Sequence, residues 1–194
     1  NTTAATTFST NLEIANNFVY NAGGQTLDPT DKKVSFITGA AQTISGNGTP
    51  TFYDLTFSNG GTVALSGTDI FVKHDFVLTT PITHGGRKVT LNGSLAQDIS
   101  AGATPPAFYD LTFANSSGGT TLSTNIEVAH DFTNNSATTM NPTNKSVTFN
   151  GTTAQILGGS NKATFYDLLF TNTTAGGTTF SIDVDVTHDF TFNS

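Results

Sequence analysis

Apolar and polar residues alternate in short runs along nearly the whole chain. Ile126, Val128 and Phe132 alternate with polar or small neighbours, and Tyr109, Leu111 and Phe113 alternate with Asp110 and Thr112. A period of two is that of a half-buried strand, and no segment carries the 3.6-residue stripe of an amphipathic helix. Asn-Gly at 47, 59, 92 and 150 and Gly-Gly at 23, 60, 85, 118, 158 and 176 break the runs at turn-forming chemistry. Thr, Val, Ile and Phe dominate between the turns, and all four suit a pleated surface. The pattern predicts an all-β chain of many short strands.

The runs also recur in order. Phe52-Tyr53-Asp54-Leu55-Thr56-Phe57 returns as Phe108-Tyr109-Asp110-Leu111-Thr112-Phe113 and again as Phe165-Tyr166-Asp167-Leu168-Leu169-Phe170. His-Asp-Phe ends at Phe76, Phe132 and Phe190, with Asn16-Asn17-Phe18 as its first copy, at intervals of 58, 56 and 58 residues. Val34-Ser35-Phe36, Val89-Thr90-Leu91 and Val147-Thr148-Phe149 form a third marker, each followed by an Ala-Gln pair ending at Gln42, Gln97 or Gln155. Such self-similarity is the signature of a stacked-repeat architecture. A unit of about 57 residues is short for a separate sandwich, which takes about 100.

A finer spacing lies inside the unit. Phe113 follows Leu91 by 22 residues, Phe132 follows Phe113 by 19 and Phe149 follows Phe132 by 17. The expectation is therefore a right-handed parallel β-helix, a β-solenoid with about 19 residues per coil and about three coils per 57-residue repeat. Residues 1–194 would form one continuous segment, with repeats at about 19–76, 77–132 and 133–190. An inner column would hold Ile14, Phe18, Phe36, Leu55, Phe57, Val72, Phe76, Leu91, Leu111, Phe113, Val128, Phe132, Phe149, Leu168, Phe170, Val186 and Phe190. The rival architecture is an array of antiparallel sandwiches, since Asn-Gly also closes two-residue hairpins. In a filament of such subunits, donated strands would join neighbours.

Composition narrows the function. Seven basic against 14 acidic residues give a net charge of −7, with Arg87 as the single Arg. No basic patch can form to neutralise phosphates, so a nucleic-acid partner is excluded. No apolar run is long enough to insert in a bilayer, and no signal peptide is recognisable. Cys is absent, which removes disulfide and thiolate chemistry. Residues 6–18 and 178–190 are the same element of the repeat, and neither resembles a polar cap. That points to an excerpt of a longer array or to ends that stack on other copies.

The repeated polar positions are the candidates for chemistry. His74, His130 and His188 share one repeat position and, at three coils apart, cannot share an ion. They read as half-buried corner residues, while His84, beside Gly85-Gly86-Arg87, belongs to a longer loop. Asp54, Asp110 and Asp167 also recur once per unit, facing outward, as a solvated acidic row; one carboxylate per repeat is thin support for calcium. Phe52, Phe108 and Phe165 have the opposite parity to the Leu and Phe that follow them. Exposed, they would make a ladder for sugar rings; at a corner, they would fold into the core. No metal or catalytic set stands out, nor any cofactor motif. Nucleophile elbows, zinc-protease helices and phosphate loops are absent, and the acidic positions follow the repeat instead of breaking it. No enzyme is expected. Eight Asn-x-Ser/Thr sequons barely exceed the chance expectation and do not establish glycosylation.

The recurring order Val-Thr-Phe-Asn-Gly, Ala-Gln-x-Ile, Phe-Tyr-Asp-Leu-Thr-Phe, Gly-Gly-Thr-Thr-Leu-Ser and Ile-x-Val-x-His-Asp-Phe resembles the β-strand repeats of very large bacterial cell-surface and adhesin-like proteins. The resemblance covers essentially the whole chain. It implies an exported, extracellular stalk or fibre that associates with itself, with surface glycans as further partners, and it brings no catalytic residues.

Overall fold

The structure, a computed structural model, describes residues 5–23, 26–58, 60–173 and 177–193. It contains 27 short strands and, among the described residues, no helix. The first three strands, Thr6–Thr7, Leu12–Ile14 and Phe18–Val19, point along three different sides of a coil. Each then pairs with the third strand after it: Thr6 with Leu27, Leu12 with Val34, and Phe18 with Ile44. Apart from three breaks, the same rule holds up to the last coil, formed by Thr178–Phe180, Val184–Val186 and Phe190–Phe192. Every pairing is parallel, so the antiparallel sandwich and its donated-strand filament are set aside. The chain is a three-sided β-solenoid of about nine turns, with paired strands about 21 residues apart.

The alternation explains why the coil closes. Along the second face Val34, Leu55, Phe76, Ile99 and Leu122 lie in register, one above another, and all are inaccessible to solvent. Phe57 lies edge-on to both Phe36 and Phe76, with ring centroids 5.4 Å away in each case. Edge-to-face rings at this separation add to the burial itself, roughly 2–3 kcal/mol for each enclosed aromatic side chain. No single coil could enclose such a column; each is sealed only by its neighbours.

Two expectations about the coil need correction. The turn takes about 21 residues, not 19, and the sequence repeat is not three coils. Phe52 ends the seventh strand, Phe108 the fifteenth and Phe165 the twenty-third, so one repeat is eight strands, or two coils and two thirds. Corner loops absorb the difference: Pro29–Lys32, His84–Arg87 and Pro142–Lys145 each close on a backbone hydrogen bond of 2.8–3.1 Å between their end residues.

Because eight is not a multiple of three, each repeat arrives one face back from its predecessor. The Thr51–Phe52 strand lies on the first face, Ala107–Phe108 on the third and Ala163–Phe165 on the second. The hydrogen-bonded ladder breaks before each of these three strands, once on every face.

Candidate functional site

The described residues gather their chemistry at the corners. Phe52 and Leu55 both point inward because the strand is interrupted at Tyr53, and the interruption resets the parity. Tyr53 and Asp54 thereby sit on a bend, and one coil later His74 and Asp75 occupy the bend above them. The His74 backbone N–H donates to the Tyr53 carbonyl at 3.0 Å, and the Leu55 N–H donates to the Asp75 carbonyl at 2.9 Å. These bonds carry the ladder around the corner and bring the side chains together.

His74 Nδ1 lies 2.7 Å from Asp54 Oδ1, which also accepts the Asp75 N–H at 3.1 Å. The second carboxylate, through Asp75 Oδ2, stands 3.7 Å from the same Nδ1. Tyr53 stacks on the imidazole with centroids 4.9 Å apart and planes 13° from parallel. The second copy joins Tyr109, Asp110, His130 and Asp131, with an Nδ1–Oδ1 distance of 2.7 Å and an interplanar angle of 5°. The third joins Tyr166, Asp167, His188 and Asp189, again at 2.7 Å and with 8° between the rings. Each trio holds one imidazole nitrogen and two carboxylate oxygens within 4.8 Å, a set that could receive a metal ion.

A third coil buttresses each of the first two corners. Gln97 is buried and donates from Nε2 to the carbonyls of Val72 (2.9 Å) and His74 (3.2 Å). Its Oε1 accepts the Gly93 N–H at 3.1 Å and the Asn115 amide at 2.9 Å. Gln155 does the same for Val128, His130, Gly151 and Asn172. Gly93 has to be glycine, since a Cβ there would come within 1.9 Å of the Lys73 carbonyl oxygen. Asp75 Oδ1 in turn accepts the Asp98 N–H at 3.1 Å.

No family model, curated protein or solved structure matches this chain. The reading of the site therefore rests on its geometry.

The structure pairs Asp54 with His74, Asp110 with His130 and Asp167 with His188, residues that sequence reasoning had treated as separate rows. The signal was present: the separations of 20 or 21 residues equal one coil. The ladder of Phe52, Phe108 and Phe165 is corrected. All three rings are fully buried, and they lie on three different faces, so they offer no surface to a sugar. Three of the sequon asparagines, Asn115, Asn134 and Asn172, are also buried and serve as corner hydrogen-bond partners.

The clusters differ in exposure. The His74 and His130 side chains are each 29% exposed, and that of His188 is 51% exposed. The hydrogen bond to Asp167 lifts His188 above its ordinary 6.5, and the charges of Asp189 and Asp167 add to it against some desolvation. His84, which packs on Tyr109, is pushed below 6.5 by burial, with Asp110 opposing. For His188 the folded state holds the proton more tightly than the unfolded chain. Its stabilisation is full below the unfolded value and is lost as pH rises through the folded one. An NMR titration of the ring protons is expected to show His84 deprotonating before His188. Asp167→Asn should bring His188 back toward 6.5, and an unmoved midpoint would reject the assignment.

Proposed function

We propose that the chain is a structural, non-enzymatic segment of an extracellular filament, stalk or adhesin on a microbial surface, whose coils stack on further coils of the same geometry. The observation that carries this reading is that the corner clusters, the buried glutamines and the aromatic column all follow the repeat. A catalytic groove would break the repeat with a cluster of its own. A shallow hollow at Ser136, Thr138, Asn161, Lys162 and Thr164 holds a single charged side chain, Lys162, already engaged by Asp185. The resemblance to bacterial cell-surface repeats and the low share of charged residues (11%) support a place outside the cell.

The last coil supports self-association. Phe180, Phe190 and Phe192 are 46%, 56% and 61% exposed, on strands whose outer edges are unpaired among the described residues. Apolar strand edges invite pairing, and a parallel coil from the same array or from a second copy supplies both backbone and ring contacts. Electron microscopy of the full chain tests the reading. Rods about 40 Å long at the lowest concentrations should lengthen as concentration rises, and Phe190→Asp with Phe192→Asp should stop the lengthening. Rods that never lengthen but bind glycans specifically would replace this reading with a carbohydrate-binding one.

A further inference from the structure

We propose that the Asp–His–Asp corners are binding sites for a divalent transition-metal ion of the zinc type, held by the imidazole Nδ1 and one oxygen from each carboxylate. The three sets are Asp54, His74 and Asp75; Asp110, His130 and Asp131; and Asp167, His188 and Asp189.

The ligand chemistry selects the ion. Calcium and magnesium take oxygen donors, whereas imidazole with carboxylate suits zinc, cobalt or nickel. Two ligands on one tetrahedral zinc stand about 3.4 Å apart. The separations from Nδ1 to the second carboxylate are 3.7, 3.6 and 3.4 Å, already close to that value. The 2.7 Å hydrogen bond to the first carboxylate would open by a fraction of an ångström as the ion replaces its proton.

The proton has somewhere to go. Among the described residues no protein group bonds to Nε2 of these histidines. A neutral ring can therefore carry its hydrogen there and turn the Nδ1 lone pair to the ion. A charged ring would release one proton to solvent. Tyr53, Tyr109 and Tyr166 lie flat on the imidazoles and hold their planes.

An independent observation is the charge left over. Among the described residues, the only Lys ion pairs are Lys32 with Asp31 and Lys162 with Asp185, and neither reaches a corner. Each corner thus sets two carboxylates against a single imidazole. A dication relieves the repulsion between the carboxylates and bridges two successive coils.

The test is a titration of the full chain with zinc ion alone, slightly above neutral pH, followed by calorimetry and by the nitrogen shifts of the histidine rings. Three equivalents are expected, with the metal-induced shift at Nδ1, and the more exposed His188 corner is expected to fill last. His74→Asn, His130→Asn and His188→Asn should each remove one equivalent, because the Asn amide can still donate to the facing Asp while lacking a metal ligand. Asp75→Asn should weaken its own site about tenfold or more. Fewer than one equivalent bound, a shift at Nε2 instead, or a stoichiometry unmoved by the three His variants would overturn the proposal. Should a variant fail to fold, the ring shifts of the parent chain decide alone. None of these outcomes bears on whether the rods lengthen.

Discussion

Phe132→Ala is expected to unfold at a clearly lower denaturant concentration than the parent chain, with a loss of about 3–5 kcal/mol. The ring is fully buried and stands at a crossing of three others. Phe113, Phe165 and Phe149 lie 5.2, 5.5 and 6.3 Å away, all near edge-on. Truncation leaves a void that parallel ladders above and below cannot close, because strand spacing is fixed by hydrogen bonds near 4.8 Å. Stability in a solenoid is roughly a sum of coil and interface terms, so the loss concentrates at the coils on either side. Phe192→Ala is the control, since that ring is 61% exposed and on the last coil. Urea unfolding followed by tyrosine fluorescence compares the two, and equal losses would show that the aromatic column does not hold the rod together.

The second large effect is expected at a polar side chain. Gln97→Leu keeps the volume but removes two donors and an acceptor, leaving the His74 carbonyl and the Gly93 N–H without the Gln97 partner they have in the parent and the Val72 carbonyl with the Asn92 N–H alone. Each buried group left unsatisfied costs about 1–3 kcal/mol, so a total near 3 kcal/mol is expected once relaxation is allowed. Gln155→Leu should cost about the same, because its four partners occupy equivalent positions in the next repeat. Hydrogen exchange gives the sharper readout: the Gly93 amide should lose protection in the first variant and the Gly151 amide in the second. If both amides keep their protection, the glutamines are not what holds the corner closed.

These glutamines also show what could be read in advance. Their recurrence after each Val-x-Phe or Val-x-Leu marker was plain in the chain, as were the strands, the repeat and the aromatic column through Phe57, Phe76 and Phe113. The number of strands per turn was not. Alternation reports which side of a strand faces inward, but it carries no count of the bends needed to come back over the starting point. Two coil lengths fit a 57-residue unit about equally well, and only the path of the corner loops decides between them. The Asp54 and His74 pairing was lost with that choice, since their 20-residue separation becomes a contact only when a turn is about 21 residues long. Phe52 was ambiguous for a related reason. Parity cannot be carried through the bend at Tyr53, where the chain changes face.

The eight-strand step has a consequence for anything that meets this protein from the side. The His74 corner joins the first and second faces, the His130 corner the third and first, and the His188 corner the second and third. One cluster therefore stands about every 13 Å of length, each of the three on a different edge of the prism. A rod decorated in this way has no front and no back. A neighbour approaching from any side meets the same Asp–His–Asp chemistry within a few coils.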